Sequence, residues 1–288
     1  MGADIFLSED LQNRFVTKGY CTFKFFDSSE VDEVLNKYSL FAGDHNAGTS
    51  DSKFHGTGWL QSQEKRLEIN NCLLPIIDKA ASRFFKNYKI IGSGFLQKDF
   101  GEDSDVQLHQ DWTYVDEKTF FSMNLWVALE NIAVANGAMY VIPYSHRVFS
   151  GYLRPSPNYP VPFRDIKPFL SIFKVPIVLK KGECICFNNA LLHGSFPNLK
   201  DSKRLALVAT ILPLSATLVH HYSFNQTLPE EVTEFAISNE SFLKIERGLP
   251  PENYISNNPK QTHYPNFGRV KFLLRFCKII ASDIFGLP

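Results

Sequence analysis

The stretch "VPIVLKKGECICFNNALLHGSFPNLKDSKRLALV", Val175 to Val208, holds three short apolar runs, "VPIVLK", "ECICF" and "LALV". "KKG" turns the chain between the first two, and "NNALLHGSFPNLKDSK" separates the last two without a long amphipathic period. Runs of this length, bounded by turn residues and not spaced by long helices, read as antiparallel strands rather than βαβ units. The same texture starts upstream with "KIIGSGFLQ", "VQLHQDW", "FSMNLWVAL" and "AMYVIP", and it closes with "LALVATIL". An antiparallel sandwich or barrel is expected.

Before the strands the pattern is helical. Ser8 to Lys18 reads as a helix, with Ser8 as N-cap, Glu9 and Asp10 in the first turn and Gly19 at its end. "YCTFKFF" alternates like a strand, and "SSEVDEVLNKYSLF" reads as a second helix. The Gly- and Ser-rich "AGDHNAGTSDSKFHGTG" is expected to be a loop, with His45 and His55 solvated in it. A third helix is predicted through "CLLPIIDKAASRFFKNY", with Pro75 near its first turn. "GYLRPSPNYPVPFRDIKPFL" reads as a long ordered loop, a lid candidate. The end, "GRVKFLLRFCKIIASDIF", reads as an amphipathic helix packed on the body, with a membrane-surface helix as the alternative. The organisation expected is a single domain over 1–288: a helical N-terminal segment over 1–90, a barrel core over about 90–215 and a C-terminal extension over 216–288.

Composition narrows the class. Of the 288 residues, 44% are hydrophobic and 21% charged, as in a globular chain with a sizeable core. Thirty basic residues balance thirty acidic ones, so nothing favours nucleic acid or an anionic membrane as partner. The 26 Phe and 11 Tyr suit a β-rich core or an apolar pocket. Five scattered cysteines form no disulfide framework, and a reducing, cytoplasmic compartment is expected. Cys184 and Cys186 alternate onto one strand face and read as buried free thiols. No secretory signal, myristoylation site or membrane span is read in the chain. The oligomer expected is a monomer or homodimer.

The chemistry concentrates in "LHQDWTY", Leu108 to Tyr114. On a strand, residues i and i+2 point the same way, so His109 and Asp111 can converge on one cation. They could equally be a surface pair, because H-x-D is common by chance. His193, following "ECICF" after a short turn, offers a second imidazole. Two His and one carboxylate make the facial triad of non-haem Fe(II) oxygenases, with open positions for cosubstrate and O2. The same trio also suits zinc and a hydrolase. Arg204, opening the strand "RLALVATIL", could clamp a carboxylate through two parallel hydrogen bonds.

Taken together, "LHQDWTY", "NLWVALENIAVANGAMYVIPYSHR" and the Val175–Val208 stretch resemble the phytanoyl-CoA dioxygenase family of Fe(II)/2-oxoglutarate oxygenases. "EDLQNRFVTKGYCTFKFFDSSEVDEVL" resembles that family's opening segment, so the likeness spans roughly Ser8 to Pro213. The resemblance implies a mainly β fold with a helical N-terminal layer, the double-stranded β-helix or jelly-roll (cupin-like) barrel. It implies Fe(II) on His109, Asp111 and His193, with Arg204 on the far carboxylate of 2-oxoglutarate. Trp126 matches a tryptophan of the cosubstrate pocket. Asn124 shares the Trp126 face by alternation and Gln97 falls where relatives place a polar contact, so both are candidate cosubstrate residues.

The activity implied is hydroxylation, or another oxidation, of an unactivated C–H in a small, partly apolar metabolite. O2 is consumed, succinate and CO2 are released, and ascorbate is a candidate reductant. Asp111 disfavours halogenation, because halogenating relatives carry a small residue there. The alternatives are a non-catalytic barrel that only binds, and the zinc hydrolase. "PYSH" departs from the family's Pro-Gly-Ser-His: Tyr144 stands where glycine is usual, so a different turn is expected there. His146 is expected to hydrogen-bond within that turn, and His220–His221 to pack or face solvent. Tyr152, Tyr159 and Phe163 in the lid candidate favour a partly apolar substrate. Arg154, Arg164 and Lys167 are read either as partners for an anionic headgroup or as charges that keep the loop soluble.

Overall fold

Ser8 accepts the Leu11 amide hydrogen bond and Gly19 takes the left-handed turn that ends the first helix, α1 (Glu9–Lys18), as the cap residues dictate. The structure, a computed structural model, describes residues 4–41, 53–156, 159–225, 228–246 and 248–285. Strand β1 (Tyr20–Lys24) leads to α2 (Ser28–Phe41), and β2 (Phe54–Gly56) leads to α3 (Gln63–Ala81). Helix α3 starts nine residues before the predicted Cys72, because Ser62 caps it at Lys65 N–H. Pro75 therefore lies in its interior, not its first turn.

The strands follow as β3 (Tyr88–Lys98), β4 (Val106–His109), β5 (Met123–Ala128), β6 (Met139–Val141), β7 (Val175–Ile177), β8 (Glu183–Asn188), β9 (His193–Ser195) and β10 (Arg204–Pro213). Short helices α4 (Ser145–Val148) and α5 (Lys167–Leu170) lie between β6 and β7. The chain closes with β11 (Val219–Tyr222), β12 (Glu231–Ala236), α6 (Asn239–Lys244), β13 (Ser256–Gln261) and α7 (Arg269–Phe285). No helix among the described residues is long and apolar enough to cross a membrane.

Two antiparallel sheets form the barrel. One orders β1-β8-β5-β10-β3-β2 and the other β4-β9-β6-β7, while β11-β12-β13 make a separate sheet. This is the jelly-roll architecture, and every expected strand run lies in it. Register assigns the two faces of the large sheet. Arg204 pairs with Lys98, Val208 with Trp126 and Thr210 with Asn124, so these side chains share the inner face. Leu205, Leu207, Phe95, Leu125 and Val127 point the other way, into a core formed with Phe15, Val31, Val34, Leu73 and Ile77 of the helical layer. Cys184 and Cys186 join that core as buried free thiols, as the alternation predicted.

The turn at "PYSH" keeps the glycine-type angle in spite of its tyrosine. Tyr144 sits at φ 67°, and its N–H donates to Lys18 O. Its ring meets Phe276 of α7 edge-on at 6.2 Å. A non-glycine residue there costs on the order of 1–2 kcal/mol, which these contacts offset. His146 hydrogen-bonds Val16 O in α1, reaching across the fold rather than within its turn.

Candidate metal and cosubstrate site

His109 ends β4 and His193 opens β9, and the two are direct cross-strand partners, with ring centroids 4.2 Å apart. Each ring is fixed by a hydrogen bond two residues back along its own chain: His109 Nδ1 to Gln107 O (2.8 Å) and His193 Nδ1 to Leu191 O (2.9 Å). A donating Nδ1–H leaves each Nε2 lone pair free. Both Nε2 atoms face the Asp111 carboxylate, at 3.7 Å for His109 and 3.6 Å for His193. Those separations are too long for good hydrogen bonds and suit atoms that share one ion. The three ligand atoms lie within 4.8 Å of one another, the one such group among the described residues. Burial first, and then the neighbouring His193, push the His109 imidazole well below its ordinary range, although 39% of its side chain remains exposed. A neutral ring is the form that ligates a metal.

Asp111 reaches this position differently from the way its spacing suggested. Strand β4 stops at His109, so period-two alternation does not hold Asp111 in place. Its N–H donates to Asn189 O (2.9 Å), and its Oδ2 accepts from Asn124 Nδ2 (2.7 Å). Thr210 Oγ1 in turn donates to Asn124 Oδ1 (2.7 Å). Asn124 is thus tied to the carboxylate of Asp111, a use its alternation onto the inner face did not indicate.

Further along the same face, Arg204 is buried, and its guanidinium carbon stands 5.1 Å from the centre of the Trp126 ring. Its Nε and Nη1 are buried without a hydrogen-bond partner. Burial pushes its pKa down to about 10. Buried donors without acceptors are rare, and two on one guanidinium suit an anion of carboxylate shape.

The residue that sequence reading missed is Lys98. It is fully buried opposite Arg204, and its Nζ donates to Ser195 Oγ (2.6 Å) and Phe196 O (2.7 Å). Burial, then the Arg204 charge, push Lys98 down to about 7. Lys98 directly follows the expected Gln97, and the pairing of β3 with β10 turns Lys98, not Gln97, to the inner face. Gln97 lies on the helix-facing side, accepting from Tyr38 Oη (2.6 Å) and donating to Asp99 Oδ1 (2.7 Å), so the structure does not bring it to the site.

Several expectations for the surrounding segments change as well. Arg154 is wholly buried and paired with Glu117, so it neither meets a headgroup nor keeps a loop soluble. Tyr152 and Phe163 are buried in a cluster with Phe267 and Phe272 of the C-terminal segment, and Tyr159 donates to Gln110 O (3.0 Å). His55 of β2 pairs with Asp99, and His221 is held between Thr113 O and Glu234. His45 lies outside the described residues.

A double-stranded β-helix that places two imidazoles and a carboxylate beside a buried, unsatisfied guanidinium is the architecture of iron(II)- and 2-oxoglutarate-dependent oxygenases. Comparison with known proteins narrows that class. The chain belongs to the phytanoyl-CoA dioxygenase family, whose profile, "Phytanoyl-CoA dioxygenase (PhyH)", matches residues 15–206. "Phytanoyl-CoA dioxygenase 1" of Oryza sativa subsp. japonica is 27% identical over 204 residues, covering 63% of this chain and 71% of the relative. The Arabidopsis thaliana "Phytanoyl-CoA dioxygenase" is 26% identical over 263 residues, 72% of this chain and 89% of the relative. Among solved structures, the epimerase SnoN "in complex with Fe3+, alpha ketoglutarate and nogalamycin RO" superposes with a TM-score of 0.56. It is 18% identical and covers 91% of this chain and 96% of its own. The "non-heme alpha ketoglutarate dependent carbocyclase SnoK" gives 0.57 at 16% identity, covering 88% and 97%. At those identities the superpositions establish the fold. The chain is an Fe(II)- and 2-oxoglutarate-dependent dioxygenase.

Proposed function

We propose that His109, Asp111 and His193 hold Fe(II), that Arg204 and Lys98 anchor the far carboxylate of 2-oxoglutarate, and that the enzyme hydroxylates a small, partly apolar metabolite. The observation that carries this reading is the pair of orphaned Arg204 nitrogens on the barrel face shared with Asn124, the residue that holds Asp111. Two imidazoles and one carboxylate leave open positions on a six-coordinate ion, as a chelating keto acid and O2 require. When bound, iron and the keto acid supply the oxidative chemistry, releasing succinate and CO2 as a C–H bond is oxidised.

The protein's own part is orientation and charge. His109 and His193 present fixed Nε2 atoms, and Asn124 keeps the Asp111 carboxylate aimed. Arg204, stacked over Trp126, and Lys98 give two buried positive charges to match the far carboxylate, which fixes the direction of the keto end. Asp111 fills the position that a halide would need, which favours hydroxylation. Protein incubated with Fe(II), ascorbate and 2-oxoglutarate is expected to form succinate. Under anaerobic conditions it should develop the visible charge-transfer band of an Fe(II)–keto acid chelate. Absence of both, with zinc recovered in the purified protein, would replace this reading by a hydrolase.

A further inference from the structure

Asp111 lies beyond the end of β4, so its main chain has no strand ladder to hold it. Its carbonyl oxygen accepts instead from Arg154 Nε at 2.6 Å, across 43 residues of sequence. The Arg154 side chain is 0% exposed, and its two remaining nitrogens both donate to Glu117: Nη1 to Oε2 at 3.0 Å and Nη2 to Oε1. The Arg154 main chain is bound as well, through its N–H to Thr113 Oγ1 (3.1 Å) and its carbonyl to Thr113 N–H (3.2 Å). A buried guanidinium costs several kcal/mol unless paired, and Glu117 provides that pairing. Arg154 meets neither the metal-facing atoms nor Arg204. Each guanidinium nitrogen is engaged, Nε with one carbonyl and Nη1 and Nη2 with one carboxylate.

We propose that Arg154 is a positioning residue for the metal centre: it fixes the main chain of Asp111 so that the carboxylate is presented to the ion, and Glu117 holds the guanidinium in place. The proposal rests on reading His109, Asp111 and His193 as metal ligands. A planar guanidinium suits the task because one rigid group bonds the Asp111 carbonyl and the Glu117 carboxylate together, which a lysine cannot reproduce. The clamp is buttressed from behind. Leu153 N–H donates to Thr262 Oγ1 (2.8 Å), and Arg275 of α7 donates to Val148 O (3.0 Å). The C-terminal segment thereby backs the loop that grips the ligand.

Anaerobic titration of the full chain with Co(II), read by visible absorption, tests this without turnover. Arg154→Met is expected to weaken Co(II) binding about 10- to 100-fold, the range for losing a partner of a ligand. The 2-oxoglutarate KM at saturating iron should stay within about twofold, because Arg204 and Lys98 are untouched. Glu117→Gln, at a side chain still 23% exposed, should weaken Co(II) binding about threefold and carries the test if Arg154→Met does not fold. Thr262→Val loosens the same loop without touching the guanidinium, so it should weaken Co(II) binding less than Glu117→Gln does. Unchanged Co(II) affinity in folded Arg154→Met and Glu117→Gln overturns the clamp, and so does an equal loss in Thr262→Val. Wild-type protein that binds no Co(II) overturns the metal centre itself, a separate result from a binding wild type with indifferent variants.

Discussion

The surroundings of Asp111 and those of Arg204 follow opposite rules. Around Asp111, each main-chain group and the carboxylate already has a partner within the chain: Asn189, Arg154 and Asn124. Around Arg204, two buried nitrogens have none, and the nearby Lys98 is pushed down to about 7 by burial and by the Arg204 charge. On the proposed reading, a ligand carboxylate must hold its geometry before the ion arrives, so protein groups fix it. The proposed cosubstrate clamp must give its hydrogen bonds to a molecule that is consumed at each turnover. Its donors therefore stay uncommitted, at a cost to the free protein.

The largest expected effect comes from breaking the satisfied side. Asp111→Ala removes the proposed ligand and strands Asn124, and succinate formation should fall on the order of 1000-fold with metal affinity lost alongside. Persisting Co(II) binding at wild-type strength would show that the carboxylate is not a ligand. Next comes the unsatisfied side, where stability and function should move in opposite directions. Arg204→Met should raise the 2-oxoglutarate KM on the order of 100-fold, because two charged hydrogen bonds are lost. The ligand-free protein should melt at the same or a higher temperature, because a buried guanidinium with two unsatisfied nitrogens is gone. A lower melting temperature with unchanged KM would make Arg204 a structural residue.

The smallest effect concerns pH. Lys98, at about 7 in the free protein, is charged below that pH and neutral above it. Bound 2-oxoglutarate favours the charged form, so binding above pH 7 must take up a proton. Affinity should accordingly weaken between pH 7 and 8, by about threefold to tenfold. Lys98→Met should flatten that profile, while Gln97→Ala on the opposite face should leave it intact. An identical profile in Lys98→Met would remove the lysine from the cosubstrate site.

Much of this site is legible along the chain because its parts are strand residues with strict parity. His193 and Arg204 lie at the ends of β9 and β10, and Trp126 shares its face with Asn124. The same parity shows why Gln97 misled. A shift of one residue exchanges the inner face for the outer, and no local feature of "FLQKDF" says which of Gln97 and Lys98 points inward. Tyr144 shows a related gap. The sequence argues against a left-handed turn there, yet contacts from Lys18 and Phe276 stabilise one.

Taken alone, the order of residues determined the helix caps, the succession of short strands and the set of chemical groups: two imidazoles, a carboxylate and a guanidinium. Those follow from interactions between near neighbours and from side-chain chemistry, which need no knowledge of the rest of the chain. Only the folded structure decided that Asp111 is held by Arg154 and Asn124, that Lys98 faces Arg204 and that Tyr152 and Phe163 are buried against the C-terminal segment. The reason is physical: burial and pairing depend on which distant segments meet, and a buried charge finds its partner in space, not along the chain.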